Sequence, residues 1–339
     1  MKRMGVLKYG FLFSVIFLKC GKAQDVVSPV NELQNSIVDS VNYRDEMRSF
    51  VINLSAYAKN VKPSFNIIPQ NGIELITEKE DAKGGVYIDY LNAIDALGQE
   101  NLFYGYKRDN TKTPTSVSEY MVNYLKVSQD YNNEIFVIDY CKSDSNVEDA
   151  IEKNLDLDFI PFIAPERDLT VIPEIPESLS ISTKNITSLK DANNFLFFVN
   201  YSDYDSKNDV IEAISATDYD VVFMDLFFND GSEFGRTMIE SLKVKSDGTK
   251  RLVLCYMSIG EAEDYRFYWN TVWHNQKPVW LEEENPNWPG NYKVKYWDPE
   301  WQSIIFGSEN AYLDAILAVN FDGVYLDIID GFEYFENKN

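Results

Sequence analysis

Phe321-Asp322-Gly323-Val324-Tyr325-Leu326-Asp327-Ile328-Ile329-Asp330 is an apolar strand core that ends in two carboxylates three residues apart, followed at once by Gly331. Buried strands of α/β proteins present their reactive residues where the strand meets its loop. A carboxylate is costly to bury without compensation, so one kept at such a point is a candidate for chemistry. Asp327 still lies inside the apolar run and carries that reading. For Asp330 the chemical reading stands level with a structural one, in which it caps the next helix or bonds loop amides.

Working outward, the chain alternates short apolar runs with helical patterns. The candidate strands are 65–69, 93–97, 135–140, 159–164, 195–201, 221–227, 252–258 and 324–329. Most are β-branched or aromatic and continuously apolar, as expected of strands covered on both faces. The intervening helices are predicted at 117–131, 147–155, 208–216, 234–244, 262–273 and 300–319. Before the first strand, Met47, Phe50, Val51, Leu54 and Ala58 follow the spacing of one buried helical face from Tyr43, and Lys62-Pro63 ends it. Eight strands with interleaved helices point to a (β/α)8 TIM-like barrel rather than an open doubly wound sheet. No glycine-rich dinucleotide fingerprint follows any strand. The chain ends about ten residues after the last strand, which leaves the N-terminal helix to close the outer ring. A further segment, 292–297, looks like a strand and either makes a ninth or replaces 159–164 in the barrel.

Composition narrows the chemistry. In 339 residues, 31 Lys or Arg stand against 54 Asp or Glu, a formal charge of −23. Without the basic first 23 residues the balance is 26 against 54, or −28. Such a surface repels phosphate backbones, so nucleic acid is excluded as a partner; a cationic or neutral ligand such as an amino sugar is compatible. The same charge also serves solubility alone. His274 is the only histidine, which excludes His-rich metal sites and leaves acid–base work to carboxylates. Its surroundings, Val272-Trp273-His274-Asn275, favour packing. No cofactor is called for.

Lys2, Arg3 and Lys8 precede the apolar run 10–18, too short to span a bilayer, and Gly21-Lys22-Ala23 offers the small residues of a signal-peptidase site. Residues 1–23 are therefore read as an export signal cleaved near Ala23, giving a secreted or periplasmic protein. Lipidation at Cys20 is the alternative, opposed by Lys19, and it provides the one expected membrane contact. Residues 24–42 read as a linker and 43–339 as the barrel domain. Cys141 and Cys255 lie on separate predicted buried strands and are expected as free thiols.

Several strand ends are polar or acidic, and in a barrel those ends open onto one face. They are Gln70-Asn71-Gly72, Gly98-Gln99-Glu100-Asn101, Asp139-Tyr140, Asp225, Ser258-Ile259-Gly260-Glu261, and Asp327 with Asp330. Tyr90, Tyr104, Tyr256, Trp280, Trp288 and Trp297 lie nearby in sequence. Carboxyl pairs cleave glycosidic bonds, and flat aromatic faces stack on sugar rings. The expected cleft is therefore one for sugar.

These segments carry a resemblance. Ile68-Pro69-Gln70-Asn71-Gly72, Leu97-Gly98-Gln99-Glu100-Asn101-Leu102-Phe103-Tyr104, Ile138-Asp139-Tyr140, Val253-Leu254-Cys255-Tyr256-Met257-Ser258-Ile259-Gly260-Glu261, Tyr296-Trp297-Asp298 and Gly323-Val324-Tyr325-Leu326-Asp327-Ile328-Ile329-Asp330-Gly331 resemble, in this order, TIM-barrel proteins related to the endo-α-1,4-polygalactosaminidases of glycoside hydrolase family 114. The family's enzymes run the shared segments in a different order, so the chain looks like a circular permutation of them. The resemblance implies Asp327 as nucleophile or base and Glu100 as acid. Asn71, Asp139, Asp225, Tyr256, Glu261, Asp330 and Trp297 are the candidate substrate contacts. The implied function is an exported hydrolase of a galactosamine-type polysaccharide. The alternative is a non-catalytic glycan-binding barrel of the cell surface. A metal-dependent hydrolase built on Asp203, Asp205 and Asp209 is disfavoured, because that spacing lacks the glycine of a calcium loop.

Overall fold

The interior strands alternate in a way that places every second side chain in one common core. In the computed structural model, which describes residues 41–79 and 81–338, eight parallel strands fall into two sheets. The three-stranded sheet runs β2 (Ala96–Glu100), β3 (Glu134–Tyr140), β4 (Ile160–Ala164). The five-stranded sheet has the order β1 (Asn66–Pro69), β11 (Gly323–Asp327), β7 (Leu252–Ser258), β6 (Val221–Met224), β5 (Phe195–Phe198). A parallel bridge between Gln70 and Gly98 joins β1 to β2, reinforced by the Asn71 amide donating to the Gly98 carbonyl at 2.8 Å. At the other margin, the rings of Phe162 on β4 and Phe195 on β5 lie 5.5 Å apart. Phe136 of the smaller sheet meets Phe195 and Phe223 of the larger edge to face, at 5.2 and 5.5 Å. The two sheets thus share a single aromatic core.

The helices follow from the same alternation of apolar faces. α1 (Tyr43–Val61) buries Met47, Phe50, Val51, Leu54 and Ala58, the periodic set read from the sequence, and is capped by the Asn42 side chain. It touches α2 (Ile88–Ala93) through Ser55 and Lys59, which donate to the Ala93 carbonyl. On its other side Tyr57 donates to Asp314 of α8 (Tyr312–Ala318), and Arg44 forms a two-point pair with Glu336 of α9 (Phe332–Lys338). α3 (Thr115–Asp130), α4 (Asp144–Leu155), α5 (Lys207–Ser215), α6 (Arg236–Leu242) and α7 (Pro299–Ile305) complete the layer.

Four sequence expectations are corrected. The second strand begins three residues later than predicted, because Asp95 accepts from the Ile67 amide at the strand entry and the ladder starts at Ala96. The helix expected over 262–273 is instead a short strand, β8 (Glu261–Glu263), in an antiparallel sheet with β9 (Leu281–Glu284) and β10 (Asn291–Val294). The segment at 292–297 therefore belongs to that small sheet, and 160–164 keeps its place among the parallel strands. Residues 300–319 form two helices broken at Gly307, whose φ is +80°. Finally, α9 does follow the last strand. The predicted export signal (residues 1–23, with Ala23 and Cys20) and nearly all of the linker lie outside the described residues. Cys141 and Cys255 are buried free thiols.

One packing detail sets the site. A Cβ at Gly98 would lie 2.1 Å from the Tyr325 hydroxyl, so the ring of Tyr325 occupies the space that any side chain at 98 would take. The Tyr325 hydroxyl is buried and has no hydrogen-bond partner. Gly98→Ala should therefore cost roughly 1–3 kcal/mol by overpacking. Tyr325→Phe should gain about 1 kcal/mol by removing an unpartnered buried polar group. Urea unfolding of both variants checks the pair of signs, and a destabilised Tyr325→Phe would contradict the packing described.

Candidate active site

Side chains two apart on a strand share a face. Glu100 stands one such step beyond Gly98, and Asp327 one step beyond Tyr325. Both carboxylates therefore project to the same side as the Gly98–Tyr325 contact, at the C-terminal ends of their strands. Register agrees: Pro69 pairs with Leu326 and Gln70 with Gly98, so only β1 separates the two strands. Gln70 lies on that intervening strand, is buried, and leaves its Oε1 without a partner.

Each acid is held by a tyrosine. Tyr256 of β7 donates to Asp327 Oδ2 at 2.6 Å, while Asp327 Oδ1 accepts from the Ile328 amide at 2.8 Å. Tyr140, at the end of β3, donates to Glu100 Oε1. The Arg167 guanidinium lies 4.0 Å from the centre of the Tyr140 ring and is itself fixed by Asn101 Oδ1, the Gly105 carbonyl and Asp109. Burial is the main force on Asp327 and raises its carboxyl to about 7; the charges of Glu100 and Asp330 add to it, and the bonds from Tyr256 and Ile328 oppose it. The Asp330 carboxyl is raised to about 6, chiefly by burial and then by Glu333, against Lys293.

The backbone around the pair is unusual. Asn71, Asn101 and Ile328, which follow β1, β2 and β11, have φ of 58°, 59° and 58°. Asn tolerates that left-handed region, whereas a β-branched residue does so only under strain. Ile328 is held there by close packing: a Cβ at Gly260 would lie 2.2 Å from the Ile328 carbonyl oxygen. The Asn71 side chain accepts from the Glu100 amide at 3.2 Å and from Gln99 at 3.0 Å, which ties the first two strand ends together.

The structure brings Asn71, Glu100, Tyr256, Asp327 and Asp330 together. It does not bring the other sequence candidates to the pair. Asp139 points the opposite way from Tyr140 and is fully buried; it accepts from the amides of Phe103 and Tyr104 and from Asn154. Burial raises its carboxyl to about 6. Asp225 is locked in a two-point pair with Arg266 at 2.8 and 2.7 Å, and Glu263 holds the same guanidinium at 2.6 Å. Glu261 is buried against Lys293, Asn285 and Asn291. Trp297 packs on Tyr43 and Phe335. Of the other aromatics, Tyr90, Tyr104 and Trp280 are core residues and Trp288 is exposed. His274 accepts from the Trp269 indole. Sequence reasoning passed over Tyr140, Tyr325 and Arg167. Strand alternation from Glu100 through its partner Ile138 would have singled out Tyr140.

Residues 182–339 match glycoside-hydrolase family GH114, a family of TIM-barrel type. It contains Tyr256 and Asp327, while Asn71, Glu100 and Tyr140 lie before it. The chain is 43% identical over 155 residues to an uncharacterized protein of Methanocaldococcus jannaschii, covering 45% of this chain and 42% of that one. It is 44% identical over 125 residues to an uncharacterized protein of Thermotoga maritima, covering 37% of each. An uncharacterized protein of Deinococcus radiodurans is 38% identical over 128 residues, with 38% of this chain and 39% of that one covered. The chain thus spans about two-fifths of the length of these curated relatives.

The three raised carboxyls have a consequence for stability. Between the ordinary carboxylate value near 4 and about 7, the folded state binds more protons at Asp327 than the unfolded chain does. That contribution to stability is present at low pH and is lost as pH rises to about 7. Asp139 and Asp330 add the same sign up to about 6. Asp327→Asn should therefore raise Tm at pH 8 relative to wild type, with the difference shrinking toward pH 4. A Tm difference independent of pH would count against an Asp327 carboxyl raised by folding.

Proposed function

We propose that this chain, with its GH114 stretch at 182–339, is an exported glycoside hydrolase that acts on an amino-sugar polymer of galactosamine type through Asp327 and Glu100. The supporting observation is the placement itself: two tyrosine-held carboxylates at the ends of the strands on either side of β1, with the Glu100 charge among the causes that raise Asp327. In this reading the two parallel sheets close into one barrel, α1 occupies the gap in the outer helical ring, and the chain is a circular permutation of the family's usual segment order. The acidic chain, −23 overall, suits a partly de-N-acetylated and hence cationic substrate. Export rests on residues 1–23 and cleavage near Ala23, with lipidation at Cys20 as the competing outcome.

Burial raises the Asp327 carboxyl to about 7, so it can hold the proton that a general acid needs. The roles implied by the resemblance are accordingly exchanged. Asp327 donates its proton to the glycosidic oxygen as the bond to the anomeric carbon breaks. Glu100, accepting from Tyr140, attacks that carbon or takes the proton of an attacking water. Carboxyl separations of about 5–5.5 Å accompany retention and about 6.5–9.5 Å inversion, so the anomer first released identifies which of these Glu100 performs. Asn71 and Asp330 border the pair and are the substrate contacts of this reading.

Release of reducing ends from an α-1,4-galactosamine polymer tests it. Asp327→Asn and Glu100→Gln should each lower kcat by roughly 10²–10⁴-fold. Tyr140→Phe should cost about tenfold or less and shift the pH profile, because it removes one hydrogen bond to Glu100 and leaves the carboxylate. Wild-type rates in both acid variants would remove the proposed pair; polymer binding without turnover in the wild type would favour the glycan-binding alternative.

A further inference from the structure

Beyond the paired carboxylates, one surface is built to display aromatic rings. Fifteen large apolar side chains are exposed among the described residues, and five of them fall between residues 265 and 288: Tyr265, Phe267, Val272, Val279 and Trp288. That excursion leaves the C-terminal end of β7, so it stands at the same end of the strands as Asp327. Single exposed apolar residues need no explanation, but a concentration at the mouth of a site does.

Trp288, 57% exposed, sits at the tip of the turn between β9 and β10, in Asn285-Pro286-Asn287-Trp288-Pro289-Gly290. The turn is held from all sides. The Asn285 amide donates to the Asn291 carbonyl at 2.7 Å, the Gly290 amide to Glu284 at 2.8 Å, and the Asp264 amide to the Gly290 carbonyl at 2.8 Å. Beneath it Glu261, fully buried, accepts from the side-chain amides of Asn285 and Asn291. Two prolines and a buried carboxylate thus fix a loop whose most exposed large side chain is an indole. A ring presented on a rigid support loses little entropy when a ligand stacks on it.

The turn is continuous with the site. Gly290 approaches the Tyr265 ring, whose hydroxyl donates to Glu263 at 2.6 Å, and that hydroxyl lies near enough to Tyr256 to act on it electrostatically. Tyr256 in turn holds Asp327. Charge points to the occupant: Asp264 and Glu284 flank the tip, and neither forms an ion pair with a Lys or Arg among the described residues.

We propose that Trp288 and Tyr265 form a saccharide subsite outside the catalytic pair, with one pyranose ring stacked on the indole and its ammonium group facing Asp264 and Glu284. The subsite rests on the amino-sugar reading of the paired carboxylates and extends it to a longer stretch of polymer.

Affinity electrophoresis of the mature chain tests it, using gels that contain partly de-N-acetylated α-1,4-galactosamine polymer or its fully N-acetylated form. Wild type should be retarded in both gels. Trp288→Ala should weaken retardation about tenfold in both gels through loss of stacking. Asp264→Asn should weaken it only in the cationic polymer, and high salt should remove that difference. Equal retardation of Trp288→Ala and wild type, at matched Tm, overturns the subsite, as does a wild type that neither polymer retards. The catalytic reading fails separately, through undiminished hydrolysis by Asp327→Asn.

Discussion

The contact between the Tyr325 ring and the bare Cα of Gly98 is the constraint on which the site depends. It fixes which face of β11 and which face of β2 look into the shared core, and strand alternation does the rest. With Tyr325 and Gly98 inward, Asp327 and Glu100 are inward too. The aromatic core below, where Tyr325 meets Phe197 and Phe223 at 5.0 and 4.9 Å, gives the floor no freedom to tilt. The acids are therefore positioned by packing several residues beneath them rather than by their own hydrogen bonds.

Against that floor, the acids sort by compensation. Asp225 and Glu263 share Arg266, Asp220 has Lys245, and Glu261 has Lys293, each within 2.5 to 2.9 Å. Breaking such a buried pair typically costs about 3–5 kcal/mol, because the remaining charge is stranded. Asp139 has no cation but three neutral donors. Asp327 and Glu100 have only tyrosine hydroxyls and backbone or amide neighbours. Asp225, Glu263, Asp220 and Glu261 are thus matched by cations, whereas Asp327 and Glu100 are not.

The strand-and-helix alternation was legible because buried parallel strands leave continuous apolar runs, and the strand ends were legible because polar residues follow them at once. Asp327 stood out for that reason, while Glu100 was one of several polar strand ends until the resemblance paired it with Asp327. The excursion at 261–297 was not legible. Its aromatic content mimics an amphipathic helix, while its conformation is decided by pairs such as Glu261 with Asn285, distant in sequence. Asp139 and Tyr140 show the finer limit. They are neighbours in sequence, and only the register of β3 against β2 decides that the carboxylate faces the helices and the hydroxyl faces Glu100.

Ile328 carries the argument furthest. Asn71 and Asn101 adopt the left-handed region at low cost, and a third asparagine after β11 would have served the turn equally well. An isoleucine there costs on the order of 1–3 kcal/mol unless its side chain earns its place. Its amide donates to Asp327, its carbonyl lies against Gly260, and its Cγ2 methyl sits where a Cβ at Gly260 would come within 2.7 Å. The branched side chain packs against Gly260 and Gly331, where asparagine would bring a polar amide. That packing holds the Ile328 amide toward Asp327 Oδ1, a bond that opposes the burial raising its carboxyl. Strain in the backbone and the hydrogen bond on the acid are then two results of one choice of residue.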